Sequence, residues 1–120
     1  MIPKPKGPYS PFLRAGDFIF VSGQGPTDPE TNKFSFGGIK HEVRVTLENI
    51  RRILELAGAT PSDVVKVSVF LSNANDFVAM NEAYAEFFGE HRPTRTTVEA
   101  QFHTREMKVE IDCIAYKPVK

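Results

Sequence analysis

The chain has 120 residues, enough for one domain with a modest core and too few for two independent cores of ordinary size. Fifteen Lys and Arg balance fifteen Asp and Glu, so no overall positive field draws the protein to nucleic acid or to an anionic membrane. No apolar run approaches a membrane span and the N-terminus lacks an apolar signal-peptide core, so we expect a soluble cytoplasmic protein.

The first half of the chain predicts a hairpin followed by a long helix. Residues 12–14 and the β-rich residues 18–22 flank a turn at 15–17, and a polar, turn-rich loop follows over 27–38. From residue 39 to 57, apolar side chains recur mostly every three or four positions, and Gly58 stands where a left-handed helix cap belongs. This pattern predicts an amphipathic helix with a core-facing side and a solvated, charged side.

The second half of the chain predicts strand, helix and two more strands. Residues 64–71 form a β-branched run that suits a well-buried strand, and Asn75 or Asp76 is expected to cap a second helix. The apolar stripe of that helix, which we expect in the core, consists of Phe77, Met80, Tyr84, Phe87 and Phe88. Final strands are predicted at about 95–102 and 107–116, around a polar link.

The predicted order β-β-α-β-α-β-β indicates one two-layer α+β domain over residues 1–120, with both helices set against a mixed sheet. The helices would cover one face of the sheet. The other face, which carries Phe, Val and Thr side chains, would stay open in a monomer. Because large exposed apolar sheet surfaces are usually interfaces, the sequence also predicts an oligomer.

Two charged residues on the last predicted strands are the main candidates for chemistry. Arg95 lies in the run RPTRTTVE at 92–99, and its planar guanidinium suits a small carboxylate. Glu110 lies in the run VEID at 109–112, where a carboxylate has apolar neighbours. Taken singly, Arg95 is more often a surface ion-pair residue than a ligand, and Glu110 is similarly ambiguous.

Other residue types that often carry chemistry are less promising. The three histidines are widely spaced and no HExxH or CxxC pattern accompanies them, so we expect no metal site. Cys113 cannot form an internal disulfide, and its apolar neighbours favour a buried, unreactive side chain. The GQG run at 23–25 lacks the features of a phosphate loop, and Ser22 is a turn or pocket residue more readily than a nucleophile.

Several short motifs follow one another in a distinctive order and spacing. They are GPYS at 7–10, VSGQ at 21–24, LENI at 47–50, VVKVSVFL at 64–71, DF at 76–77, NEAY at 81–84, PTRTTVE at 93–99 and VEID at 109–112. Each motif alone is weak, but together they resemble the Rid family of reactive intermediate deaminases, also called the YjgF-like family. The resemblance runs from about residue 7 to residue 115.

This resemblance implies a chorismate-mutase-like α+β fold that assembles as a homotrimer, with the sheets forming a central barrel and a ligand cleft at each subunit interface. Deaminating members of the family hydrolyse imine or enamine products of pyridoxal-phosphate enzymes. Such substrates include 2-iminopropanoate and 2-iminobutanoate, and the products are a 2-keto acid and ammonia. The resemblance implies no cofactor and no metal.

The resemblance also implies roles for individual residues. By similarity, Arg95 matches the arginine that binds the substrate carboxylate, and Glu110 matches the acid that positions or activates water. The other positions expected to line the substrate site are Tyr9, Ser22, Gly23, Asn81 and Thr97. These few residues are sufficient in principle, because a protonated imine is already a good electrophile. The protein has only to anchor the substrate, orient a water molecule and exclude competing nucleophiles.

The chain departs from the family pattern at two places near the expected site. Thr97 stands where many deaminating members carry a cysteine, a change that we expect to spare hydrolysis. Phe102, His103 and Thr104 stand where those members have an Arg-Leu-Pro run, which leaves substrate size and preference open. Other imines, including the 2-aminomuconate-like compounds that some relatives process, are therefore also candidate substrates.

Two other functions compete with deamination. Family members have been described as translation inhibitors or endoribonucleases, although zero net charge and the absence of an evident His/Lys catalytic set count against RNA cleavage here. A non-catalytic trimer that binds small molecules is the third hypothesis. The presence of both Arg95 and Glu110 favours activity over simple binding.

Overall fold

In the computed structural model, which describes residues 1–119, the main elements follow the predicted order β-β-α-β-α-β-β. The strands are β1 Phe12–Ala15, β2 Phe18–Gln24, β3 Val64–Leu71, β4 Thr94–Glu99 and β5 Val109–Tyr116. The helices are α1 Ile39–Leu56 and α2 Phe77–Phe88. Gly58 follows the end of α1 with φ at +90°, so the predicted left-handed helix cap is confirmed.

The strands form a mixed five-stranded sheet in the order β1-β2-β5-β3-β4. Neighbouring strands are antiparallel except for β3 and β4, which run parallel because α2 provides the crossover between them. The last two strands are therefore not neighbours, and β3 lies between the strand of Arg95 and the strand of Glu110.

Both helices pack on one face of the sheet and enclose the core. The residues of β5 alternate, with Val109, Ile111, Cys113 and Ala115 buried under the helices. Cys113 is a free, buried thiol whose pKa is raised to about 12 by burial. The prediction of a small, buried core cysteine is thus confirmed, and the raised pKa favours the neutral thiol over the thiolate.

One strand boundary and one detail of a helix cap differ from the sequence prediction. Strand β4 ends at Glu99 instead of residue 102, because its pairing partner β3 ends at Leu71. The Leu71 carbonyl accepts a hydrogen bond from the Ala100 N–H at this end of the two strands. Residues 100–108 are consequently a loop before β5. Asp76 stands at the N-cap position of α2, as predicted, but its side chain makes no capping hydrogen bond; the Asn73 side chain accepts one from the Asn75 N–H, at the turn before α2.

The other face of the sheet is open, as predicted for a single chain. Five of its apolar side chains are each at least 42% exposed: Leu13, Phe18, Phe20, Val98 and Tyr116. Phe18 pairs across the sheet with Tyr116, and Phe20 pairs with Leu13, so these residues form one surface and not isolated patches. Within residues 1–119, neither helix has the length and apolar character needed to span a bilayer.

Candidate active site

The predicted site residues form two clusters on opposite faces of the sheet. Arg95 pairs with Val67, a core residue beneath the helices, so Arg95 points toward the helical layer. Glu110 pairs with Phe70, three positions further along β3, so Glu110 points to the open face. Within one chain, the fold therefore does not bring the two charged groups together.

The first cluster surrounds Glu110. A cavity of about 320 Å³, called here the carboxylate cavity, is lined by Tyr9, Ser22, Gly23 and Glu110. The pairing of β2 with β5 shifts register between Val21 and Gln24, and this irregularity turns the Gly23 backbone against the Glu110 side chain. A Cβ atom at position 23 would stand 2.5 Å from Oε2 of Glu110, so glycine is the residue that fits.

Ser22 fixes one wall of the carboxylate cavity. Its hydroxyl donates a 2.6 Å hydrogen bond to the Ser10 carbonyl, and its backbone N–H donates to the Pro11 carbonyl at 3.0 Å. These bonds hold the segment that carries Tyr9 beside β2. The hydroxyl proton of Ser22 is engaged in a backbone contact, which agrees with the interpretation of Ser22 as a pocket residue and not a nucleophile.

The Glu110 carboxyl has a raised pKa. Partial burial in the carboxylate cavity is the larger cause of the raised pKa, and the negative charge of Asp112 on the same strand face raises it further. A carboxylate with a raised pKa is a stronger base toward water than an ordinary one, and its acid form persists to higher pH, where it can donate to a leaving nitrogen. These are the properties of a general acid–base group.

The second cluster surrounds Arg95. Its guanidinium carbon lies 4.7 Å from the ring centroid of Tyr84 and 5.6 Å from that of Phe77, both on α2, and its Nη1 is 3.9 Å from the Met80 sulfur. Among residues 1–119, no carboxylate lies within ion-pair distance of this guanidinium. Aromatic faces support the cation without neutralising it, so it keeps its capacity for an anion.

Unpaired polar atoms accompany Arg95. The buried Asn81 Oδ1, Tyr84 Oη and Thr97 Oγ1 have no hydrogen-bond partner within the described part of the chain. Thr97 shares a strand face with Arg95, and Asn81 lies on α2 three residues before Tyr84. Because buried polar groups are normally paired, such a cluster marks a place where a polar ligand would satisfy them.

Two polar residues in this region were missed by sequence reasoning. The sequence assigns Tyr84 to the apolar core stripe of α2, and the structure shows that its ring also supports Arg95. The phenol hydroxyl is the feature that distinguishes Tyr84 from the other members of the stripe. Glu42 is fully buried on α1, and its Oε1 accepts a 2.8 Å hydrogen bond from the Lys108 N–H, two residues before Glu110. The signal for Glu42 was its spacing with Thr46 and Asn49, which lines three polar residues along the buried side of α1.

A second, larger cavity adjoins the Glu110 cluster. This space, called here the aromatic groove, has a volume of about 600 Å³ and shares Tyr9 and Glu110 with the carboxylate cavity. It follows the loop between β4 and β5, where Phe102 and His103 contribute to its wall. The departure from the family pattern at Phe102 and His103 therefore lies beside Glu110, whereas the departure at Thr97 lies in the Arg95 cluster.

Two helices packed on one face of a five-stranded mixed sheet define the class of small YjgF-like α+β proteins. The family model of Ribonuc_L-PSP, described as endoribonuclease L-PSP, matches residues 1–117, and the chain belongs to this family. The resemblance to the Rid, or YjgF-like, family is thereby confirmed.

Individual relatives support this assignment over almost the whole chain. A RutC family protein of Pyrococcus horikoshii is 50% identical over 115 residues, which cover 96% of this chain and 91% of that protein. A 2-iminobutanoate/2-iminopropanoate deaminase of Dermatophagoides farinae is 38% identical over 114 residues, covering 95% and 89%. The crystal structure of Escherichia coli TdcF with bound serine superposes with a TM-score of 0.89 at 35% identity, covering 97% and 93%.

Proposed function

We propose that the protein is a hydrolytic deaminase that converts 2-imino acids and their enamine forms, such as 2-iminopropanoate and 2-iminobutanoate, to 2-keto acids and ammonia. The observation that carries this proposal is the Arg95 guanidinium, which has no acidic partner within residues 1–119 and lies beside buried polar atoms that also lack partners there. An anchored carboxylate would pair with the guanidinium and accept from the Tyr84 and Thr97 hydroxyls, whereas Asn81 Oδ1, itself an acceptor, would need an N–H group of the substrate. The 38% identity to a 2-iminobutanoate/2-iminopropanoate deaminase supports the reaction type.

The proposed active form is a homotrimer with a cleft at each interface. In a cyclic trimer, each interface joins two different surfaces of neighbouring subunits. Two clusters on opposite faces of one sheet can therefore meet between subunits, although they are apart within one chain. The exposed apolar face that includes Phe18, Phe20 and Tyr116 supports an assembly that buries it.

In the proposed reaction, Arg95 of one subunit forms a two-point contact with the substrate carboxylate. Thr97 and Asn81 complete that end of the site. Glu110 of the neighbouring subunit takes a proton as a water oxygen bonds to the imine carbon, which gives a carbinolamine. Glu110 then returns the proton to the nitrogen, and the C–N bond breaks as the hydroxyl group becomes the carbonyl. Glu110 takes the hydroxyl proton and passes it to the departing ammonia, so the products are the 2-keto acid and ammonium.

RNA cleavage is the second candidate, because the family description names an endoribonuclease. The balanced charge of the chain does not favour it, since nonspecific RNA binding draws mainly on positive charge. A trimer that binds 2-imino or 2-keto acids without turnover is the third. The three candidate functions can be distinguished with an imine that is generated in solution, since only a deaminase converts it to the 2-keto acid.

The test generates 2-iminopropanoate with an amino-acid dehydratase or oxidase in the presence of semicarbazide, which traps the imine. A deaminase diverts the imine to pyruvate and lowers the rate of trapping in proportion to its concentration. Arg95→Ala should abolish this effect, whereas Arg44→Ala, an exposed arginine of α1, should retain it. Equal trapping with and without the wild-type protein would refute the deaminase proposal.

A further inference from the structure

The aromatic groove continues directly from the place where the proposed reaction occurs. Glu110 and Tyr9 line both the carboxylate cavity and the groove, so the two spaces meet at the Glu110 carboxyl. A substrate whose imine carbon receives water from Glu110 has its side chain next to that carboxyl. In the single chain the groove, at about 600 Å³, is far larger than the methyl group of 2-iminopropanoate requires.

The wall of the groove is apolar, aromatic and packed. Phe34, Phe70, Phe102 and Met107 contribute to it. Phe34 and Met107 converge on Gly25, where an added Cβ would stand 2.8 Å from the Met107 sulfur and 3.4 Å from the Phe34 ring. Met107 is only 6% exposed. Such a wall is formed before a ligand arrives, and burial of an apolar side chain in it is favourable.

The charges at the groove have both signs, so charge alone does not select the side chain of the substrate. Lys6 keeps its positive charge, because its Nζ donates a 2.7 Å hydrogen bond to the neutral Asn32 carbonyl and lies 4.6 Å from the centroid of the Phe34 ring. Among the described residues that line the groove, Glu110 is the only acid. A second carboxylate on the substrate would lie near the Glu110 carboxylate and would be repelled by it.

We infer that the preferred substrates are 2-imino acids with a large apolar side chain, aromatic ones above all, and that this side chain occupies the aromatic groove. Phe102 is then a specificity-determining residue for the reaction. The inference rests on the proposed deaminase function and adds the substrate class to it. Small imino acids are also substrates, but they leave the groove empty.

The test compares kcat/KM for imines that amino-acid oxidases generate from phenylalanine, leucine, alanine and glutamate, with semicarbazide competition as the readout. We expect the phenylalanine-derived imine to exceed the alanine-derived imine by about tenfold, with leucine between them. Phe102→Ala should lower the phenylalanine-to-alanine ratio by about threefold or more. Leu56→Ala, which removes an exposed side chain at the end of α1, should leave the ratio unchanged.

The outcomes separate this inference from the function on which it rests. Turnover of the alanine-derived imine without an advantage for phenylalanine would overturn the groove inference and leave the deaminase standing. A preference for the glutamate-derived imine would also overturn the groove inference, because it would show that the groove accepts an acidic side chain better than an apolar one. Failure to turn over any imine would refute the deaminase proposal and the inference together. An unchanged ratio in Phe102→Ala, with alanine-derived turnover intact, would remove Phe102 from its assigned role.

Discussion

The backbone of Gly23 lies against the Glu110 carboxylate so closely that a methyl group at position 23 would stand 2.5 Å from Oε2 and 3.0 Å from the carboxyl carbon. Side-chain carbons essentially never approach an oxygen at 2.5 Å, so any larger residue requires Glu110 to move. The irregular pairing of β2 with β5 produces this contact. The position of the proposed proton-transfer group is therefore coupled to the backbone of the neighbouring strand.

Gly23→Ala should displace the Glu110 carboxylate while leaving the Arg95 cluster intact. Because misplacement of a reacting group by about 1 Å costs up to about a hundredfold in rate, we expect kcat to fall by about 10- to 100-fold. KM should change much less, since Arg95 still anchors the carboxylate. Steady-state kinetics with a thermal unfolding control checks this, and an unchanged kcat in the folded variant would contradict it.

The raised pKa of Glu110 predicts the pH dependence of the reaction. The carboxylate form accepts the proton from water, so kcat/KM should rise with pH through a pKa above the ordinary carboxyl value. Asp112→Asn removes the second cause of the shift, so the acid limb should move to lower pH. The pKa of Glu110 should still stay above the ordinary carboxyl value, because burial is the larger cause of the shift. The exposed Glu90→Gln is the matched control, and coincident profiles for Asp112→Asn and wild type would contradict the coupling.

Tyr84 should act through Arg95. Its ring lies 4.7 Å from the guanidinium, and a cation–π contact of this kind contributes about 0.5–2 kcal/mol. Tyr84→Leu removes the ring and should raise KM by about 2- to 30-fold with a smaller change in kcat. Tyr84→Phe keeps the ring and serves as the matched control, with KM close to wild type if the contact with the ring is what matters. Equal KM values for Leu and Phe would refute this role.

Glu42 should make stability depend on pH. Burial raises its pKa, against the opposing hydrogen bond from the Lys108 N–H. The native state therefore binds more protons than the unfolded state between the ordinary value of 4.5 and the raised native pKa, so this contribution to stability falls as pH rises through that window. Glu42→Gln removes the titration, and the stability of wild type relative to this variant should improve as pH falls.

Chemical unfolding of wild type and Glu42→Gln at several pH values measures the difference. Glu42→Leu is the companion variant, because it leaves the Lys108 N–H without its acceptor and should cost about 1–3 kcal/mol at every pH. A constant stability difference between wild type and Glu42→Gln across the window would contradict the assigned titration.

Some parts of this structure follow from the sequence and others do not. Helix α1 and its end at Gly58 follow from local periodicity and backbone preference, which one segment carries by itself. The end of β4 does not, because it depends on where β3 ends in space. Tyr84 is buried, as its apolar stripe predicts, but the stripe does not predict its contact with Arg95. The sequence pattern does not single out Glu42, because its hydrogen bond to the Lys108 N–H arises only in tertiary packing.

The relation between Arg95 and Glu110 is the clearest limit of sequence reasoning. The two residues lie on consecutive strands of the chain, but β3 separates those strands in the sheet and the pairing register puts the side chains on opposite faces. Strand order and register depend on long-range contacts, which motifs do not encode. The motifs identify both residues as site candidates, and the family resemblance implies a cleft at a subunit interface; the fold adds that the two side chains lie on opposite faces within one chain.

The most direct test of this account mixes subunits. Arg95→Ala and Glu110→Gln chains with different tags are co-expressed, and trimers that contain both are isolated by successive affinity steps. Each such trimer has one interface with an intact Arg95 and an intact Glu110, so about one third of wild-type deaminase activity should return. Each variant alone should show little or none. Mixed trimers as inactive as the parent variants would contradict an active site shared between subunits.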